Sequence, residues 1–185
     1  MRSIALASIL FLGVATAANA QTAASGDVAL TYHWVRTNTT PGECGCFGLN
    51  GGGVSGSWEM QRRFAGVVGF SSEHAGNVLG TGMSLTLTSY MAGARYRLPK
   101  LWSHKAHGLE PFAQVLLGAT HSGGSVAGSA DGQYAFATRM GGGVDVPVSA
   151  HIAIRIVQVD YNLTLGKNFS NDRQNNLLVG GGIVC

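Results

Sequence analysis

Alternation of residue types with a period of two runs through most of the chain. It is clearest in residues 134–146, where one phase is mostly apolar and the other holds small residues and both charged groups. Phe136 and Met140 belong to the apolar phase, whereas Arg139 and Asp145 belong to the other. Side chains of a β-strand point alternately to the two faces of a sheet, so this pattern predicts strands and not helices.

Composition supports an all-β fold with an unusual surface. Glycine accounts for 28 of 185 residues, about twice its usual share of ~7%, and each glycine inside a helix costs about 1 kcal/mol relative to alanine. Only 11% of the residues are charged, against about 25% in ordinary soluble domains. The charge deficit predicts that something other than water covers much of the surface.

The N-terminal segment has the features of a secretory signal peptide. A positive start at Arg2 precedes eleven apolar residues, 4–14, and small residues at Ala18 and Ala20 mark a cleavage site. Eleven residues fall short of the ~20 that a membrane-spanning helix needs. We expect a signal peptide over residues 1–20 and one domain over residues 21–185. That domain would carry 11 basic and 9 acidic residues, a net charge of +2, which is too small to indicate a nucleic-acid partner.

The alternation predicts eight strands of roughly ten residues or more. They cover residues 27–36, 48–59, 64–73, 83–97, 109–121, 133–147, 151–165 and 175–185. The spacing is typical of strands joined alternately by short turns and longer loops. Short turns are expected near residues 60–63 and 148–150, and longer loops at residues 37–47, 74–82, 122–132 and 166–174. The connection at residues 98–108 should be a short turn, yet it has eleven residues.

Two strands lose their alternation part of the way along. In strand 151–165, Arg155 is out of phase with Gln158 and Asp160, which predicts a β-bulge near residues 156–157. Strand 83–97 shows the same slip between Thr86 and Arg95, near residues 88–89. The alternative at each strand is that one polar side chain faces outward near a water boundary.

The two phases leave open whether the apolar side chains point into or out of a barrel. A soluble ligand-binding barrel would place them inside and would need many charged residues outside. Here the second phase holds mostly small residues, which suit the crowded interior of a narrow barrel. Lipid would then cover an apolar outer face that includes Trp34, Trp58, Phe64, Tyr90, Tyr96, Phe112, Tyr134 and Tyr161. Only a closed barrel satisfies every backbone hydrogen bond of such strands in a bilayer.

Several segments resemble a known family. They are the runs GGGVDV at 141–146, IRIVQVDY at 154–161, NNL at 175–177, PFAQ at 111–114 and GARY at 93–96. They are similar to strands of the eight-stranded outer-membrane β-barrels of the OmpA-like and OmpX-like type. The resemblance covers nearly all of residues 21–185 and implies a bacterial outer-membrane location. It also implies contact with outer-membrane lipid, insertion by the barrel-assembly machinery, and cell-surface loops that contact an extracellular partner. The final residues, GIVC at 182–185, depart from the aromatic ending usual in this family.

The fold class predicted is therefore all-β, a closed eight-stranded antiparallel up-and-down transmembrane β-barrel. Six charged residues are candidates for its interior: Glu59, Arg95, Arg139, Asp145, Arg155 and Asp160. We interpret them as a salt-bridge network that fills a lumen too narrow for an open channel. The alternative is a small gated pore or proton path.

Three cysteines require a separate interpretation. Cys44 and Cys46 fall in the first long loop and, in an oxidising compartment, are a candidate disulfide. Two thiols in one three-residue segment are too few ligands for a metal site. Cys185 is left without a role.

No motif for a cofactor or a metal is present, and a non-enzymatic role is expected. Glycine runs at residues 51–53 and 141–143 lie within predicted strands without a following Lys-Ser/Thr, so we interpret them as allowing strand curvature and not as phosphate loops. We expect the histidines to be solvated: His33, His74, His104, His107, His121 and His151. The alternative function is a lipid-modifying barrel enzyme, for which His33 and residues 57–59 are the candidates.

Overall fold

The computed structural model describes residues 26–37, 47–80, 82–104, 107–124, 132–165 and 173–185. The predicted signal peptide, residues 1–20, lies outside these ranges, as do Cys44 and Cys46.

Nine strands form one continuous antiparallel sheet. They are β1 (Gly26–Thr37), β2 (Phe47–Gln61), β3 (Phe64–Ala75), β4 (Leu85–Arg97), β5 (Leu101–His104), β6 (His107–Gly123), β7 (Gln133–Pro147), β8 (Ala153–Leu165) and β9 (Gln174–Val184). Pairing of β1 with β9 and of β4 with β6 closes eight of them into a barrel. The predicted fold class is confirmed, and each end of the eight long strands lies within two residues of its predicted position.

The ninth strand, β5, lies in the connection between β4 and β6. Leu101 pairs with Leu109, and His104 pairs with His107, so the chain folds back along an extension of β6. The eleven-residue length of the connection 98–108, which the sequence left unexplained, is accounted for by this pairing of β5 with the first residues of β6.

One of the two predicted irregularities is present. In the pairing of β8 with β9, Arg155 lies opposite Gly182 and Gln158 lies opposite Gly180, so two residues of β8 face one residue of β9. Ile156 and Val157 both lie on the outside, and the bulge predicted at residues 156–157 is confirmed.

The slip predicted near residues 88–89 is wrong. β4 pairs with β3 and with β6 in unbroken register. Its interior residues are Leu85, Leu87, Ser89, Met91 and Arg95, all in one phase. Thr86 lies on the outer face, where its hydroxyl is 2.8 Å from His74 Nδ1. A polar side chain facing outward near a strand end, the alternative interpretation, therefore accounts for the pattern.

The two ends of the barrel differ. The end where β1 begins and β9 finishes, here called the terminal end, also carries the turns at 62–63 and 148–152. The opposite end, here called the loop end, carries the connections 38–46, 76–84, 124–132 and 166–173. Within the described ranges, no helix is long and apolar enough to cross a membrane.

Candidate functional site: outer face and lumen

The outer face of the barrel is apolar over most of its height. Exposed large apolar residues occur on each of the eight barrel strands, among them Leu30, Trp58, Phe70, Tyr90, Val115, Phe136, Met140, Val159, Tyr161 and Ile183. The predicted orientation is confirmed in the strand that suggested it: Phe136 and Met140 lie outside, whereas Arg139 is buried inside. A water-soluble barrel with an apolar ligand pocket is therefore excluded, because this much exposed apolar surface requires a covering of lipid.

Aromatic side chains on this face lie against neighbouring strands. Trp58 faces Gly66 across the β2–β3 pair, and a Cβ atom added at Gly66 would lie 2.5 Å from the indole ring. The rings of Phe64 and Tyr96 are 4.9 Å apart at their centroids. These contacts place an aromatic cluster near the terminal end, as expected at the boundary of a lipid bilayer.

Phe112 is the exception among the predicted outward aromatic residues. Only 5% of its surface is exposed, and it lies inside the lumen. Arg95 and Arg155 each place a guanidinium carbon 4.5 Å from the centroid of its ring. The prediction that Phe112 faces lipid was wrong because even-numbered residues of β6, including Gln114 and Leu116, point inward.

Two of the six candidate interior charges form a bidentate ion pair. Arg155 donates from Nε to Asp145 Oδ1 at 2.8 Å and from Nη2 to Oδ2 at 3.0 Å. Its Nη1 donates to Gln158 Oε1 at 2.9 Å. The bulge places Arg155 and Gln158 on the same inner face, although they are three residues apart.

Amide side chains extend this network across the lumen. Asp160 is fully buried and accepts hydrogen bonds from Gln158 Nε2 at 2.6 Å and from Gln114 Nε2 at 3.2 Å. Gln114 Oε1 in turn accepts from Arg95 Nη2 at 3.1 Å. The two glutamines therefore connect Asp160 to Arg155 and Arg95, a role that the sequence pattern did not indicate.

A second group of charges closes the network at the terminal end. Asp27 forms a short ion pair with Arg97, lies 3.8 Å from Arg95 Nη1, and accepts a 2.8 Å hydrogen bond from Ser57. Glu59 lies at the rim with a side chain 41% exposed, 3.5 Å from Arg97 Nη1. Its placement among the interior charges is therefore wrong, because β2 reaches the open end of the barrel at this residue. Asp27 and Arg97 were missed because both lie at strand ends.

Arg139 is buried apart from this network. It is 6% exposed, and its Nη2 lies 3.3 Å from Ser71 Oγ on the opposite side of the lumen. Within the described ranges, its Nε has no hydrogen-bond partner. Among the described residues, no carboxylate oxygen lies within 4.0 Å of this guanidinium group.

His33 is buried in the lumen with two polar partners. Its Nδ1 lies 3.1 Å from Glu73 Oε1, and its Nε2 lies 2.7 Å from Thr31 Oγ1. The prediction that every histidine is solvated was therefore wrong for His33, which occupies the inner phase of β1. Sequence reasoning also missed Glu73, because it lies forty residues from His33 along the chain and no local pattern relates the two. His74 and His151 are exposed.

The residues proposed for an enzyme are not assembled. Ser57 donates to Asp27, Glu59 contacts Arg97, and His33 contacts Glu73. In the described part of the chain, no group of three or more His, Cys, Asp or Glu side chains is arranged to hold a metal ion.

Glycines on the inner face make room for these side chains. A Cβ atom at Gly53 would lie 3.0 Å from His33 Cε1, and one at Gly180 would lie 2.8 Å from His33 Cδ2. At Gly143 it would lie 2.8 Å from the Phe112 ring, and at Gly141 2.3 Å from Asp160 Oδ1. The glycine runs therefore give space to bulky lumenal groups as well as allowing close strand approach.

An apolar cluster fills the lumen at the loop end. It consists of Val35, Leu49, Ala75, Val78, Leu85, Leu87 and Leu178, with Phe47 packed against it. Val78 begins a 3₁₀ helix, Val78–Gly80, in the connection between β3 and β4. That connection is held by hydrogen bonds from Val78 N to Met83 O and from Gly82 N to Asn77 Oδ1, both 2.9 Å. The described part of this loop thus folds over the lumen.

Between the apolar cluster and the ionic network lies a cavity of about 30 Å³, here called the lumenal cavity. Its polar lining includes Thr31, His33, Ser71, Ser89, Arg95 and Arg139. About 10–15 Å³ of such space holds one water molecule, so a small ion fits and a lipid chain or sugar does not.

The closed barrel, apolar exterior and polar lumen define the class of transmembrane β-barrels. A family model described as the outer membrane protein beta-barrel domain matches residues 4–183. The chain belongs to this family.

One solved structure shares the fold, and two others are similar to this chain at lower scores. The crystal structure of Neisserial surface protein A is similar with a TM-score of 0.65 and 15% identity, covering 89% of this chain and 98% of that one. Ail of Yersinia pestis has a TM-score of 0.46 and 12% identity, covering 86% and 99% of the respective chains. The N-terminal barrel of OprF from Pseudomonas aeruginosa has a TM-score of 0.47 and 15% identity, covering 85% and 96%. Among curated protein sequences, none matches this chain.

Proposed function

We propose that the protein is a non-enzymatic outer-membrane barrel whose filled lumen forms a rigid base for surface loops. The observation that carries this proposal is the packing of the lumen at successive levels. The ionic network occupies the terminal half, and the apolar cluster that includes Val78 occupies the loop end. A lumen packed in this way favours a structural role for the protein over an open channel for solutes.

The arrangement of connections supports contact with an extracellular partner. The connections 38–46, 76–84, 124–132 and 166–173 all leave the barrel at the loop end. We infer export through the signal peptide at residues 1–20, insertion by the barrel-assembly machinery, and an orientation with the loop end outward. Binding residues are commonly carried by loops on a rigid scaffold.

Epitope insertion tests this orientation. An epitope placed in connection 124–132 should be labelled by antibody on intact cells of a Gram-negative host. The matched control carries the same epitope in turn 148–152 and should be labelled only after the outer membrane is permeabilised. Both proteins should fractionate with outer membranes and migrate faster on gels when unheated. Labelling of the control but not of the loop variant on intact cells would overturn the proposed orientation.

A conductance measurement tests the filled lumen. The purified barrel in a planar lipid bilayer should give no ion-conducting steps, because the ionic network and the apolar cluster occupy successive levels of the lumen. Stable conducting steps from the wild-type barrel would contradict the proposal and favour the gated pore.

One observation favours an enzyme as a second candidate. Thr31, His33 and Glu73 form a hydroxyl–imidazole–carboxylate series with distances of 2.7 and 3.1 Å, the arrangement by which a base activates a nucleophile. The adjoining lumenal cavity of about 30 Å³ is too small for an acyl chain, which favours a packing role for this series. Mass spectra of lipid A from cells producing the wild type or His33→Ala should be identical. Loss of an acyl chain with the wild type alone would establish the enzyme.

A further inference from the structure

The lumenal cavity has the chemistry of an anion site. It is lined by Arg95 and Arg139, by His33, and by the hydroxyl groups of Thr31, Ser71 and Ser89. No carboxylate is found among the described residues of its lining. Positive charge and hydroxyl donors around a small lumenal space favour a negatively charged occupant.

Arg139 supplies the main argument for an ion of opposite charge. Its guanidinium group is buried, its Nε has no partner in the described part of the chain, and its Nη2 donates to the Ser71 hydroxyl at 3.3 Å. A buried cation without a counter-charge is strongly destabilising. An anion in the lumenal cavity would offset that cost.

The buried carboxylates near the cavity are already engaged. Glu73 contacts His33, and Asp160 accepts hydrogen bonds from Gln114 and Gln158. His33 and both glutamines line the cavity, whereas Glu73 and Asp160 do not. Both carboxylates are therefore already bound by side chains that line the cavity.

The volume decides the size of the anion. A cavity of about 30 Å³ has room for about two water-sized occupants, which excludes lipid headgroups and carbohydrate. We propose that the lumenal cavity binds a halide ion, chloride in the cell, with Arg139 as its principal partner.

Anion-dependent stability tests the proposal. The refolded barrel in detergent micelles should have a higher unfolding midpoint in sodium chloride or bromide than in sodium gluconate at equal ionic strength. The increase should saturate with halide concentration, since a ligand that binds only the folded state stabilises it by linkage. Arg139→Met should lose this halide dependence and, in gluconate, should unfold at or above the wild-type midpoint because it removes an uncompensated buried charge.

The matched control is Arg62→Gln, which removes an exposed cation from the β2–β3 turn and should keep the full halide dependence. Equal midpoints of the wild type in chloride and gluconate would overturn the proposal and indicate water alone in the cavity. An unchanged halide effect in Arg139→Met would overturn it as well. If Arg139→Met does not fold, anomalous scattering from wild-type crystals grown in bromide decides: a bromine peak beside Arg139 supports the site, and a lumen without one rejects it.

Discussion

Arg95 and Arg155, two like-charged residues on β4 and β8, lie against the same aromatic ring. Each guanidinium carbon is 4.5 Å from the Phe112 centroid, and the charges are offset by Asp145 on one side and Asp27 on the other. An aromatic face attracts cations, so Phe112 reduces the cost of placing two guanidinium groups close together in a narrow lumen.

Replacing this ring should destabilise the barrel. We expect Phe112→Ala to lower the free energy of unfolding by about 3–5 kcal/mol, because it removes a buried aromatic side chain and leaves a cavity. Phe112→Leu keeps most of the volume and should cost less. Urea unfolding in lipid vesicles measures both, and a Phe112→Ala variant as stable as the wild type would contradict the lumenal role.

Asp145 should be needed for stability because Arg155 is almost completely buried. Asp145→Leu leaves that guanidinium group without its bidentate partner, and breaking a buried pair in this way costs about 3–5 kcal/mol. The control is Glu59→Gln at the exposed rim, where we expect less than about 1 kcal/mol. Thermal unfolding followed by gel migration compares the two variants. Equal losses of stability would show that the buried ion pair contributes no more than the exposed charge at the rim.

A charge on the outer face should be costly in proportion to its depth. Met140→Arg places a cation among lipid-facing side chains in the middle of β7, and we expect a loss of about 2–4 kcal/mol. Tyr134→Arg, on the same outer face but at the loop end of the strand, should cost about 0–1 kcal/mol. Folding equilibria in vesicles give both values. Equal tolerance of arginine at the two positions would argue against a lipid covering.

Substitutions at two glycines test whether the close approach of neighbouring strands excludes a larger residue. A Cβ atom at Gly182 would lie 2.0 Å from the carbonyl oxygen of Leu30, whereas one at Gly56 would meet nothing closer than 3.9 Å. Gly182→Ala should therefore lower stability by about 1–3 kcal/mol, and Gly56→Ala should be neutral or stabilising. Refolding yield and unfolding midpoint distinguish them, and a fully stable Gly182→Ala variant would refute the steric argument.

Local alternation was sufficient to predict the strands because it depends only on neighbouring residues. The period of two located all eight barrel strands, and the phase break between Arg155 and Gln158 located the bulge. The phase break at Thr86 was misread, since an outward threonine near a strand end gives the same pattern as a bulge.

The lumenal contacts could not be predicted in the same way. His33 and Glu73 are forty residues apart, and Gln114 and Asp160 forty-six; the strand tilt and register that bring them together are properties of the closed barrel. Val78 gave no sequence signal, because one valine in a loop does not reveal that the loop packs over the lumen.

The sequence by itself determined that the barrel strands have one apolar face, although it misplaced Phe112. Through its scarcity of charge, the sequence also indicated that this face meets lipid. Only the tertiary structure decided which interior groups meet. Ring closure sets the distances across the lumen, and these distances leave Arg155 with a carboxylate partner and Arg139 facing the lumenal cavity.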